Sequence, residues 1–379
     1  MAAAWSDAVS SKLGGEGFRY HVPIVMAPAP FKLTQHEREG LFERTVPVRQ
    51  SAQWAQSAKA HLGSEPLAAT ALWGWSAAQR EDRKAAGLRL AEQVTRRELG
   101  VQMEWFRAKA TDGNLAASLK HLDRALTVFP EAGPVMLAGL AQALDVADVR
   151  SLMVPYRQRP WFATLIRAAT TTAPEGLGVA ALLTETRLKG ATLPAGTLPA
   201  VLQRLVQEGE GYEAGQLALR TEVLKPVGLE QFGIGEDTLE PEARPLSWQL
   251  SNTDAVTSTV RGPGKVDFAI AAGRSGTMLE RVTVYQSGNY KLTQALGAAD
   301  PRILLIWELR CLDGGGERSV WSQTMPVKNE AQRLAMQLSI PEGCPAQRWR
   351  LRGAAIDLQV DGLVEIDLLD LELVKNSAS

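Results

Sequence analysis

The stretch KPVGLEQFGIGEDTLEPEARPL, residues 225–246, decides how this chain is read. It is rich in Gly, Pro and acidic residues, a composition that punctuates regular structure. Before it, apolar residues recur at helical spacing; after it, Val, Thr and Ile alternate with polar residues. The texture divides the chain into an extended N-terminal segment (1–33), a helical part (34–223) and a β part (224–379). The expected fold class is α+β multidomain, an N-terminal solenoid of α-helical hairpins followed by a C-terminal antiparallel β-sandwich. A length of 379 residues agrees, because single cores stop growing well before that size.

Upstream of the stretch, Ala- and Leu-rich segments alternate with Gly and Pro breaks, giving twelve helix-length pieces from QHEREGLFER (35–44) to YEAGQLALRTEVL (212–224). Their connections are short, so neighbours should run antiparallel as hairpins. Leu88, Ala91 and Val94 recur 34 positions later as Leu122, Ala125 and Val128, and Gly74 stands 34 before Ala108. Spacing of three puts each set on one helix face, and small residues let helices approach closely. With RALTVFPEA closing the second copy, at Pro130, residues 65–131 resemble the tetratricopeptide repeat, whose period is about 34 residues. The resemblance implies a helical stack that receives a protein partner. Trp73, Trp75, Trp105 and Trp161 lie among apolar neighbours and are expected in the core, with a concave peptide groove as the alternative reading.

Downstream, ten strand-length runs from SWQLSN (247–252) to LVEIDLLDLEL (363–373) are separated by turn signals such as SGN, DGGG and PEG. So many short strands in about 150 residues make a two-sheet sandwich of jelly-roll type. The order of features, with Pro245 and Trp248 near the first strands, VTVYQSGNYKLTQAL in the middle and a long closing strand, is similar to carbohydrate-binding modules of the galactose-binding-like jelly-roll type. In that resemblance Gly288 supplies a tight turn with positive φ. GCPAQRWRLRG resembles the late strand that pairs back with the one carrying Cys311, which implies a Cys311–Cys344 disulfide. From the residues alone, two buried thiols are the alternative. A bond would close a loop of 34 residues and point to an oxidising compartment.

The two-part plan looks like accessory proteins of bacterial surface-polysaccharide production and export. The resemblance implies a periplasmic or cell-envelope location, with cytoplasmic as the alternative. MAAAWSDAVSSKLGG has neither the basic start nor the apolar run of a secretory signal, and no 18-residue apolar run marks a transmembrane segment.

Lys and Arg total 41 against 42 Asp and Glu, so no long-range field gathers polyanions and nucleic acid is not an expected partner. The four histidines, His21, His36, His61 and His121, show no metal-ligand spacing, and neither a metal nor a cofactor is expected. His121, beside Lys120 and Asp123, reads as a solvated surface residue. GRSGT (273–277) superficially resembles a nucleophile elbow but belongs to a β hairpin, and GGEGF and GPGK are too short for a phosphate loop. Asp367, Asp370 and Glu372 alternate along a terminal strand, where edge charges are the plain explanation.

The expectation is therefore a non-catalytic protein. Sugar recognition needs flat rings for pyranose faces and polar groups for hydroxyls. The rings that qualify are Trp248, Tyr285, Tyr290 and Trp321, with Gln286, Asn289 and Gln323 as polar partners. Trp307, within LLIWELR, reads as core. A purely protein-binding scaffold with a structural sandwich is the alternative function.

Overall fold

A computed structural model describes residues 48–374, apart from 66, 78, 80, 189–191, 227, 229–230, 236–237, 263, 298–301, 314–315, 326 and 357–360. The segment 1–33 and the helix expected over 35–44 lie outside the described residues. The helices are α1 (Val48–Ser64), α2 (Ala69–Ala77), α3 (Glu81–Val94), α4 (Leu99–Thr111), α5 (Leu115–Val128), α6 (Gly133–Ala141), α7 (Ala147–Met153) and α8 (Pro160–Thr172), then α9 (Gly176–Thr186), α10 (Thr197–Gln207) and α11 (Gly211–Arg220). The strands are β1 (Gln249–Leu250), β2 (Val256–Gly262), β3 (Lys265–Ile270), β4 (Ser275–Thr283), β5 (Gly288–Leu296), β6 (Ile303–Leu312), β7 (Glu317–Met325), β8 (Gln332–Ile340), β9 (Ala346–Ala355) and β10 (Gly362–Leu373). The chain falls into two compact units, one ending at Pro174 and one beginning at Glu175. Helices α9–α11 thus belong with the strands. The division at 223/224 marks the change of secondary structure rather than the edge of a packed unit.

In the first unit α2 packs on α3, α4 on α5, and α6 on α8. Helix α5 shows why: Leu119, Leu122, Ala125 and Leu126 share one stripe and are all buried, while the Asn114 side chain caps the first turn by accepting from Ala117 N. The 34-residue recurrence carries over to packing. Leu88 and Leu122 are 3% and 1% exposed, Ala91 and Ala125 0% and 1%, and Val94 and Val128 37% and 38%. Gly87 lets α3 approach α2 so closely that a Cβ there would sit 1.9 Å from Ser76 Oγ. Trp73 and Trp161 are core residues, and Trp161 Nε1 donates to the buried Asp123 Oδ1 at 2.9 Å, tying α8 to α5. Trp75 and Trp105 are half-buried.

His121 is not a solvated surface residue. Its Nδ1 lies 2.8 Å from Gln102 Oε1, its ring stacks on Trp105 at 6.0 Å, and Glu92 stands 3.8 Å away. Helix α5 turns this position toward α3 and α4, so the ring is half-buried between them.

In the second unit the strands form two five-stranded antiparallel sheets, ordered β1-β4-β9-β6-β7 and β2-β3-β10-β5-β8. Removing the added edges β1 and β2 leaves 4-9-6-7 facing 3-10-5-8, in which the chain winds between sheets as a jelly roll. Alternation places Val266, Phe268 and Ile270 of β3, Leu305, Trp307 and Leu309 of β6, and Trp349 and Leu351 of β9 in one core. On the outer face of the first sheet, Arg348 and Arg350 pair with Glu280 and Glu317, Arg310 with Glu308 and Glu317, and Arg352 with Glu308.

The deciding stretch 225–246 is built into this core. Phe232 meets Trp248 at 5.1 Å and Trp349 at 4.7 Å in edge-to-face geometry, the arrangement ring quadrupoles favour. Arg281, fully buried, donates from Nε to Leu246 O at 2.7 Å and from its two terminal nitrogens to Gln231 O and Gly228 O. A guanidinium inside a core is tolerated because its donors are met by carbonyls.

Candidate functional site

The β4–β5 connection and the first residues of β5 read YQSGNY, residues 285–290, with no charged side chain. Gly288 has φ of +156°, as expected, and a Cβ there would meet Leu373 Cδ1 at 3.0 Å. Tyr290 Oη donates to Gln286 O at 2.8 Å and closes the turn. Burial pushes the Tyr290 phenol up from its ordinary value. The Tyr285 ring is half-buried against the core and lies 5.9 Å from the Tyr290 ring at an interplanar angle of 37°. Gln286 and Asn289 are exposed on either side of Gly288.

A residue that sequence reasoning missed fixes this turn. Gln347 of β9 is 0% exposed. Its Oε1 accepts from Tyr285 N at 2.9 Å and Thr283 Oγ1 at 3.0 Å, and its Nε2 donates to Tyr285 O at 3.0 Å and Cys344 O at 2.9 Å. All four hydrogen-bonding positions of the carboxamide are used. Trp349 Nε1 donates to Thr283 Oγ1 at 2.9 Å, continuing the network into the core. The signal was available in QRWRLRG: Gln347 stands in phase with Trp349 and Leu351, so a polar residue occupies an inward position of β9. The Cys311–Cys344 disulfide is formed, with Cα atoms 5.4 Å apart, beside the same network.

The structure brings together Tyr285, Gln286, Asn289 and Tyr290, and separates the other candidates from them. Two of the four rings are corrected. Trp248 is 1% exposed and its Nε1 donates to Phe232 O at 2.8 Å; the ring is a core element that holds the 225–246 stretch and has no face for a ligand. Tyr290 is 6% exposed and acts as a buttress for Tyr285 instead of a stacking surface. Trp321 and Gln323 lie on the edge strand β7, opposite Leu309 and Trp307 of β6. Trp321 packs half-buried against the core, and Gln323 is exposed. Trp307 is fully buried, as expected. GRSGT runs from the β3–β4 turn into β4. Asp370 is half-buried and Glu372 exposed on β10, where they face Thr293 and Lys291 of β5. Among the described residues no group of three or more His, Cys, Asp or Glu side chains is placed to hold a metal ion. No described helix is long and apolar enough to cross a membrane.

No family model matches the chain, and no curated protein matches it. Among solved structures, the C-terminal strands are similar to carbohydrate-binding sandwiches. One is the N-terminal cellulose-binding domain of Cellulomonas fimi β-1,4-glucanase C, at 13% identity over 35% of this chain and 98% of that one, with a TM-score of 0.23. Another is TmCBM61 in complex with β-1,4-galactotriose, at 13% identity over 34% and 88%, with a TM-score of 0.25. Of another kind is the enzymatically active domain of tailspike protein 4 from bacteriophage CBA120, similar at 17% identity over 34% of this chain and 19% of that one, with a TM-score of 0.27.

Proposed function

We infer that the chain is a non-catalytic accessory protein whose sandwich takes a neutral, hydroxyl-rich oligosaccharide at the β4–β5 turn, while its tetratricopeptide-like helical stack engages a protein partner. The carrying observation is the turn itself: an uncharged segment presents one half-exposed ring and two exposed carboxamides on a backbone held by Gln347. A phenol face suits the C–H face of a pyranose, and carboxamides both donate to and accept from hydroxyls. A turn fixed before binding loses little entropy on ligation, which favours affinity from few contacts. The setting in bacterial surface-polysaccharide production or export is supported by the resemblance of the two-part plan. A formed disulfide suits an oxidising compartment such as the periplasm.

The test is binding of the full chain to an array of bacterial surface glycans together with cello- and β-1,4-galacto-oligosaccharides. Binding should be weakened at least tenfold by Tyr285→Ala and severalfold by Gln286→Ala in folded protein. Binding that survives both substitutions would place the ligand elsewhere. A protein-only scaffold is the second reading. Leu90, Val94 and Val128 favour it, exposed on α3 and α5, which Arg124 and Glu92 join at 2.6 Å. Failure of every glycan would leave that reading.

A further inference from the structure

Among the described residues the two open sheets end on the edge strands β1, β7, β2 and β8. An edge strand is a template for pairing with another chain, and proteins blunt it by shortness, charge, proline or a bulge. Three of these edges are blunted. Strand β1 has two residues; β2 shifts register on β3 between Val260 and Gly262, beside the exposed Arg261; β7 opens with Glu317 and Arg318 and shifts register on β6 between Leu309 and Arg310. Strand β8 has none of these devices. Its sequence QRLAMQLSI holds no Pro or Gly and one charged residue, Arg333, and all nine residues pair with β5 from Gln332 to Ile340 without a shift. Among the described residues, positions 333–340 make no backbone hydrogen bond outside the β5 ladder. The outward side chains Arg333, Ala335, Gln337 and Ser339 are exposed. On the core side Leu338 and Ile340 are buried, but Leu334 and Met336 are only half-buried, so this side of the sandwich leaves core-facing apolar surface uncovered.

We propose that β8 pairs antiparallel with β8 of a second copy of this chain, about a two-fold axis at Met336, joining the β2-β3-β10-β5-β8 sheets of the two copies into one. Met336 is the middle residue of the strand, so this register uses its full length, with Gln332 opposite Ile340 of the copy. Alternation then sets Leu334 against Leu338 and Met336 against itself on the core side, and Arg333 against Ser339 and Ala335 against Gln337 on the outer side. The half-buried Leu334 and Met336 gain apolar cover, and the one charge of the strand faces a hydroxyl instead of its own copy, as cross-strand pairing requires. Two observations favour a second copy over a foreign extended peptide. The edge is already an ordered strand in both partners, whereas a free peptide pays to be ordered on binding. One charge in nine residues gives a foreign sequence little to be selected by, while a two-fold contact is self-complementary by construction. A single strand pair buries less than a standard interface, so the association is weak and reversible.

The test is sedimentation equilibrium of the full chain over a concentration series reaching about 500 µM, where a dimer half-dissociated at roughly 10–100 µM is expected. Two double variants at exposed positions probe the register: Ala335→Lys with Gln337→Lys, and Ala335→Glu with Gln337→Glu. In the proposed pairing each sets like charges opposite one another, so each alone, folded by circular dichroism, is expected to dimerise at least tenfold more weakly than wild type. An equimolar mixture of the two sets Lys opposite Glu and is expected to associate at least as tightly as wild type. A wild-type chain that stays monomeric throughout overturns the proposal and leaves the β8 edge to a foreign strand. Variants that dimerise as wild type does, or a mixture no tighter than its components, overturn it by placing the contact elsewhere.

Discussion

At the residue scale, the second unit is governed by polar side chains that point inward and are fully satisfied. Gln347→Leu keeps the approximate volume but leaves Tyr285 N–H and C=O and Cys344 C=O without the partners they have now. Each buried orphan costs about 1–3 kcal/mol, so a loss of roughly 3 kcal/mol is expected in denaturant unfolding, with the m-value unchanged. Because the same bonds set the Tyr285 backbone, the variant should also bind the array ligand more weakly than wild type under conditions where it is folded. Arg281, two residues before Thr283 on β4, is the counterpart. Burial lowers its pKa, yet guanidinium stays charged, and its cation lies 5.9 Å from the Trp248 ring centroid. Arg281→Met should cost about 3 kcal/mol or more, because three carbonyls of the 228–246 segment lose their donor. An unfolding midpoint within error of wild type would show that water replaces the guanidinium without penalty. The mistaken reading of Trp248 has the same origin. Its burial is decided by Phe232, sixteen positions earlier, whose carbonyl accepts from the indole N–H and whose ring packs against the indole edge-to-face. No local pattern around Trp248 carries that information.

At the scale of elements, periodicity was sufficient. Eleven of the twelve helical segments and all ten strand runs are present among the described residues, because each apolar stripe has a core to face and each run is bounded by turn chemistry. Strand order was legible only as a class: β10 lies between β3 and β5, a pairing made by sequence-distant segments that alternation cannot specify. The interior of the helical unit holds a polar contact that periodicity also hid. His121 has its pKa lowered chiefly by burial and secondarily by Arg124 and Lys109, against an opposing pull from Glu92. The unfolded chain therefore takes up this proton at higher pH than the folded one does. Its stabilising contribution is complete above the ordinary histidine value of 6.5 and is lost as pH falls from there through the lower folded value. Denaturation of the full chain followed by helical circular dichroism should lose stability between pH 7 and pH 5.5. The His121→Gln variant should lose less over the same interval. Parallel pH profiles for the two proteins would show that His121 titrates alike in both states.

At the scale of the whole chain, two compact units each carry their own buried residues, so perturbations can be aimed at one of them. The disulfide is the sharpest tool for the second. Cys311, next to last in β6, is opposite Gln347 on β9, while Cys344 precedes β9, so the bond closes a covalent loop that contains β7 and β8. Those two strands lie at edges of different sheets, where each has a neighbour on one side only. The loop of about 34 residues predicts a stabilisation of roughly 3–4 kcal/mol through the unfolded chain. The double variant Cys311→Ala, Cys344→Ala should lose about that much in the near-ultraviolet signal of the buried tryptophans, Trp307 and Trp349. Its alanines leave no buried polar group behind, so a loss well above 4 kcal/mol would have to come from the folded state, through the Cys344 carbonyl that Gln347 holds. Combining the double variant with Gln347→Leu separates the two origins. Additive losses assign the bond's effect to the unfolded chain, and a combined loss smaller than the sum assigns part of it to the shared network that sets Tyr285.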